Sequence, residues 1–156
     1  MTQRFILDEN IVILALKQEN AQGEPDPICR DLFTQIIDIC HTIVVDPNLW
    51  NKYQQQLSSR SRGVGQEIFQ VLPLLATAAR FIPGKVEFRA NAEPFPEESN
   101  IPQGSQDDVE AVRLAVETGA TLVTTDESLR QDLNACGVQE KYRLRLLSPS
   151  EALDEL

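Results

Sequence analysis

The stretch DDVEAVRLAVETGATLVTTDESL, residues 107–129, decides how the chain is read. Residues 107–118 read as a helix, Gly119 ends it, and residues 120–125 (ATLVTT) read as a strand. From Asp108 to Thr118 the helix rises about 16 Å at ~1.5 Å per residue. The strand runs back about 20 Å at ~3.3 Å per residue. Asp126 therefore returns to the level of Asp108, and both carboxylates lie at one end of the domain.

A second stretch of the same kind, RFILDEN, occupies residues 4–10. Its strand, residues 4–7, also runs into a carboxylate, Asp8. If this strand is parallel to residues 120–125, Asp8 and Asp126 emerge on the same edge of the sheet. That edge is where open α/β sheets place their sites. Each aspartate on its own also suits a helix N-cap. Three carboxylates at matching ends point further, because they repel unless one keeps its proton or a cation joins them. Hard divalent ions such as Mg²⁺ or Mn²⁺ take such oxygen ligands and can activate water in phosphodiester hydrolysis.

Outward from these stretches, strands alternate with helices. A helix follows the corner at Asp8–Asn10, and Pro27 opens another with Ile28, Leu32, Ile36 and Ile39 on one face. TIVV, residues 42–45, is an apolar strand, and Asp46 caps a helix striped by Leu49, Trp50, Tyr53 and Leu57. A helix is expected over 66–80, an edge strand in KVEFRA, a strand in YRLRLL and a capped final helix in SPSEALDEL. Residues 91–104 form a proline-rich loop longer than most connections, either a substrate-contacting segment or a tolerated insertion. The pattern predicts a single domain, residues 1–156: an α/β sandwich with a central, mainly parallel sheet flanked by helices.

Bulk composition narrows the function classes. The net charge of −10 repels phosphate backbones at long range, which argues against a general nucleic-acid binder. It is compatible with a nuclease whose acidic site is neutralised by metal. The three cysteines (Cys29, Cys40, Cys136) are odd in number and form no CxxC pair, so neither a disulfide framework nor a zinc site is expected. Cys40 adjoins His41, but sequence neighbours tend to point apart and do not make a catalytic pair. No leader pattern opens the chain and no apolar run suits a membrane span, so a soluble cytoplasmic protein is expected. No P-loop, dinucleotide fingerprint or Gly-x-Ser-x-Gly elbow is present. A phosphoryl-transfer aspartate motif would want a second aspartate where Asn10 stands.

With these residues in view, the chain resembles the PIN domain family. FILDENIVILAL resembles the PIN opening, a strand into an aspartate with asparagine two residues later, matched by Asp8 and Asn10. Glu9 replaces the usual small hydroxyl residue. DVEAVRLAVETGATLVTTDESL resembles the C-terminal signature, matched by Asp108, Thr124 and Asp126, and LLSPSEALDEL resembles the PIN terminus. The resemblance covers most of the chain, least in residues 63–104. It implies a PIN-like fold and a Mg²⁺- or Mn²⁺-dependent nuclease acting on RNA, often a toxin with an antitoxin-like partner protein, and a homodimer. One position departs: the family's further glutamate, on the helix after the second strand, is matched here by Lys52, which as an ammonium cannot ligate a metal.

Two function classes follow. In one, Asp8, Asp108 and Asp126 hold the metal of an endoribonuclease, Asn10 and Thr124 support them by hydrogen bonds, and the basic residues 58–62 steer RNA. In the other, the domain has lost catalysis and serves as a binding or regulatory module, as the lysine and the acidic charge favour.

Overall fold

The computed structural model describes residues 2–60 and 71–156. Along them run β1 (Arg4–Leu7), α1 (Glu9–Lys17), α2 (Ile28–Asp38), β2 (Thr42–Val45), α3 (Pro47–Arg60), α4 (Val71–Phe81) and β3 (Val86–Phe88). They continue through α5 (Val109–Thr118), β4 (Thr121–Val123), α6 (Glu127–Ala135), α7 (Val138–Tyr142), β5 (Leu146–Leu147) and α8 (Pro149–Asp154). The strands form one sheet in the order β3-β2-β1-β4-β5, parallel at every pairing.

Near-continuous apolar runs are what a parallel sheet covered on both faces requires. RFIL, TIVV and TLV supply them, and Phe5, Ile6, Leu7, Ile43, Val44, Val45, Leu122 and Val123 are all fully buried. Right-handed crossovers from β1 to β2 to β3 put α1 to α4 on one face, and the return to β4 and β5 puts α5 to α7 on the other. The packing agrees: α1 contacts α2, α3 and α4, α8 closes against α2, and α6 contacts α7. The result is the three-layer α/β sandwich with a central parallel sheet that the sequence predicts.

Local signals hold where the chemistry is strong. Gly119 ends α5 with a left-handed φ of 70°, which glycine adopts without a Cβ penalty. Ser148 and Glu151 form a capping box at α8.

Three readings change. Ile39, expected on the buried face of α2, is extended backbone just past its end and turns out to solvent. YRLRLL is a strand only at Leu146–Leu147, because Gly137, left-handed at φ 81°, restarts a helix that takes Tyr142. The segment 91–104, read as a long loop, is fastened to the rest of the domain. It contains 3-10 turns at Pro96–Asn100 and Gln103–Asp108, Arg113 binds Glu98 at 2.7 Å, Glu97 accepts from Tyr142, and the Phe95 ring meets Tyr142 at 5.4 Å. The basic residues 58–62 and the start of the helix expected over 66–80 fall in part outside the described residues.

Candidate active site

Register sets the site. Leu7 pairs with Val123 and Phe5 with Ile43, so one step past the strand ends Asp8 stands level with Thr124 and Asp46. Neighbouring strands are about 4.8 Å apart. Asp126, two residues beyond Thr124, opens α6, and Asp108 immediately precedes α5.

Capping accounts for only part of this group. Asp126 Oδ1 accepts from the Leu129 N–H at 3.0 Å, and Asp46 Oδ1 accepts from the Leu49 N–H at 2.8 Å. Asp8 and Asp108 also occupy N-cap positions, yet neither side chain makes a cap hydrogen bond. Those two carboxylates are left for other partners.

The partner of Asp8 is Thr124. Its fully buried hydroxyl donates to Asp8 Oδ2 at 3.0 Å and accepts from the Asp126 N–H at 3.0 Å. One hydroxyl thus ties the carboxylate of β1 to the backbone that presents Asp126. Burial pushes the Asp8 carboxyl up, opposed by the Thr124 hydroxyl, the Glu9 N–H and the charge of Lys52.

Asp108 meets both other aspartates. Its carboxyl is pushed up to about 7, first by burial, then by the charges of Asp8 and Asp126 and a hydrogen bond to Asp126, with Lys52 opposing. Asp108 therefore keeps its proton well above the usual carboxylate range, as a half-buried carboxyl beside two other carboxylates does.

A second group borders the first. Lys52 Nζ lies 3.6 Å from Glu110 Oε2. Asp46 is pushed up by burial and by Glu110, opposed by its cap hydrogen bond and by Lys52. Lys52, the departure from the PIN pattern, thus acts on Asp8, Asp46 and Asp108 alike. Tyr53, read from the sequence only as part of a helical stripe, is fully buried, and its hydroxyl donates to the Leu7 carbonyl one residue before Asp8. Glu110 was not legible as a member. Its signal is its place two residues after Asp108, at the same end of α5. Asn10 is exposed on the first turn of α1 and, among the described residues, makes no hydrogen bond to the three aspartates.

The donor chemistry of this group is all carboxylate and hydroxyl oxygen, which fits Mg²⁺ or Mn²⁺ and not a softer metal. Among the described residues no three His, Cys, Asp or Glu side chains stand as a ready ligand set. What stands there is the raised Asp108 carboxyl with the charges of Asp8 and Asp126 beside it, an arrangement that a hard cation would relieve.

No family model and no curated protein matches the chain. Among solved structures, it is similar to a PilT N-terminus domain protein from the hyperthermophilic archaeon Sulfolobus solfataricus P2, at 14% identity and a TM-score of 0.47. The match covers 98% of this chain and 92% of that one. Fold does not carry function in any case, so what this site can do follows from its own side chains. No helix among the described residues is long and apolar enough to cross a membrane.

Proposed function

We propose that the chain is a PIN-like endoribonuclease that hydrolyses RNA phosphodiester bonds with a carboxylate-bound Mg²⁺ or Mn²⁺. The observation that carries this reading is the meeting of Asp8, Asp108 and Asp126, from three separate elements, at the carboxyl edge of the sheet. These three would hold the ion, and Thr124 would orient Asp8. When bound, such an ion lowers the pKa of water and stabilises a leaving oxygen. The choice of RNA, an antitoxin-like partner and a homodimer rest on the sequence resemblance alone.

The competing reading is a PIN-like module without catalysis, and it is favoured by the Lys52–Glu110 ion pair inside the cluster. Calorimetric titration with Mn²⁺ separates the two. Asp126→Asn is the informative variant, because asparagine keeps the cap of α6 while losing the charge. The nuclease reading expects binding by the native chain and a loss in the variant beyond the roughly 100-fold upper end for an outer hydrogen-bond partner. Binding should be matched by cleavage of RNA that EDTA stops. No binding at millimolar Mn²⁺ sinks the enzyme and leaves the module.

A further inference from the structure

Resting on the cation-site reading above, we propose that Lys52 takes the place of a second cation, so that this site holds one divalent ion and not two. The carboxylates at the sheet edge fall into two groups on either side of Asp8. On the β4 side Thr124 joins Asp126 to Asp8, and Asp108, at the start of α5, lies close enough to feel both charges. On the β2 side Asp46 stands level with Asp8 across the β1–β2 register and feels the charge of Glu110. Two carboxylate groups sharing a central aspartate are the kind of frame from which two-ion phosphodiester sites are built. Here the β2 side already holds a cation that is part of the chain, the Lys52 ammonium 3.6 Å from Glu110.

The position of Lys52 is built, not incidental. The helix that carries it is fixed on one side by the Asp46 cap, whose Oδ1 accepts the Leu49 N–H at 2.8 Å. On the other side the next residue, Tyr53, donates to the Leu7 carbonyl at the end of β1. Both anchors belong to the strand ends that present Asp46 and Asp8. The Lys52 and Glu110 side chains are 31% and 35% exposed, well short of a lysine extended into solvent. A divalent ion entering the Asp46–Glu110 side would face this ammonium at close range, and like charges in a partly buried place repel strongly. On the Asp108–Asp126 side the same ammonium is an outer counter-charge, and the aspartates there remain to ligate.

The test is the stoichiometry of Mn²⁺ on the whole chain, by calorimetry and by the electron paramagnetic resonance of the bound ion, in which two neighbouring ions broaden each other's signal. The native chain and Lys52→Arg, which keeps the charge, should bind one ion. Lys52→Gln should bind two, with the broadened signal, and the second should disappear when Asp46→Asn is added. Thermal unfolding of each variant confirms that it is folded, and all of these readouts are independent of catalysis. Two ions on the native chain, or one on Lys52→Gln, overturns the assignment while leaving the cation site standing. Ions on Lys52→Gln with none on the native chain overturns it as well, because Lys52 would then exclude metal altogether. No ion on any of these proteins removes the cation-site reading and this inference together.

Discussion

At the amino edge of the sheet Lys85 and His41 are buried, 5% and 6% exposed, and at the carboxyl edge Asp8 and Asp46 are buried as deeply, 3% and 2% exposed. The partners differ in kind. The Lys85 amine donates to the Ile36 carbonyl at 2.8 Å and to the Ile39 carbonyl, closing the C-terminal end of α2, where a positive charge also suits the helix dipole. His41 Nδ1 accepts the Gln3 N–H at 3.0 Å while its ring meets Phe5 edge-on. Both groups complete the backbone of their own chain. At the carboxyl edge Asp108 faces Asp8 and Asp126, and Asp46 faces Glu110. Burial at one edge holds the fold together, and burial at the other holds like charges close, at a cost to stability that only a further cation would repay.

The largest expected effect tests the amino edge. Lys85→Met keeps the length of the side chain and removes both hydrogen bonds at the end of α2, leaving the buried Ile36 carbonyl without this donor. Hydrogen bonds from charged groups contribute about 1.5 kcal/mol or more each, so the variant should lose about 3 kcal/mol in urea denaturation. Mn²⁺ binding by the folded fraction should stay as in the native chain. A loss below about 1 kcal/mol would show that water satisfies those carbonyls as well as the amine does.

Asp108→Asn tests the carboxyl edge and should have the opposite sign. The folded chain holds the Asp108 proton up to about pH 7, against 3.8 as the ordinary value. Between those values the folded state binds more protons than the unfolded one, so stability falls as pH rises and is lost fully above about 7. A carboxyl so displaced corresponds to about 4 kcal/mol at full effect, and access of solvent to the half-buried Asp108 reduces this to about 2. In EDTA at pH 8 the variant should therefore be about 2 kcal/mol more stable than the native chain, with the difference vanishing near pH 4. Equal stability at both pH values would mean that the carboxylates do not oppose one another.

Legibility in the sequence followed from how local each signal is. β1, β2 and β4 could be read because strands buried on both faces are continuously apolar, and strand ends plus a parallel register then bring Asp8, Thr124 and Asp126 to one edge. The place of Lys52 in the cluster followed only from the family pattern, and its partner Glu110 from nothing local, because their meeting depends on how the starts of α3 and α5 approach across the edge. Lys85 read as the start of an exposed edge strand. Its burial depends on the end of α2, a segment remote in sequence. What holds the segment 91–104 was not legible, because its anchors, Arg113 and Tyr142, lie on helices further along the chain. Tyr142 was itself placed in a strand, where it could not have reached Glu97.

The smallest effect sharpens the comparison through the sign of pH dependence. Burial, reinforced by the charge of Lys85, lowers the basicity of His41 below its ordinary value. The unfolded chain then takes up this proton at a higher pH than the folded one. Stability from His41 is fully present above about pH 6.5 and is lost as pH falls below it. Asp108 and His41 change stability with opposite signs over overlapping pH ranges, so in the metal-free chain the two slopes offset one another below about pH 6.5. His41→Leu should cost about 1 kcal/mol at pH 7.5, where the Gln3 N–H loses its acceptor, and should gain on the native chain as pH falls from 6.5 to 5. Glu87, held low by Arg4, loses its contribution only below its ordinary value of 4.5, whereas Asp108 titrates across this window with the opposite slope, so the His41 effect is read as the difference between variant and native chain at each pH. A difference between His41→Leu and the native chain that stays constant from pH 6.5 to 5 would leave all of the pH dependence to the carboxyl edge, and the two edges would then no longer divide the work of fold and site between them.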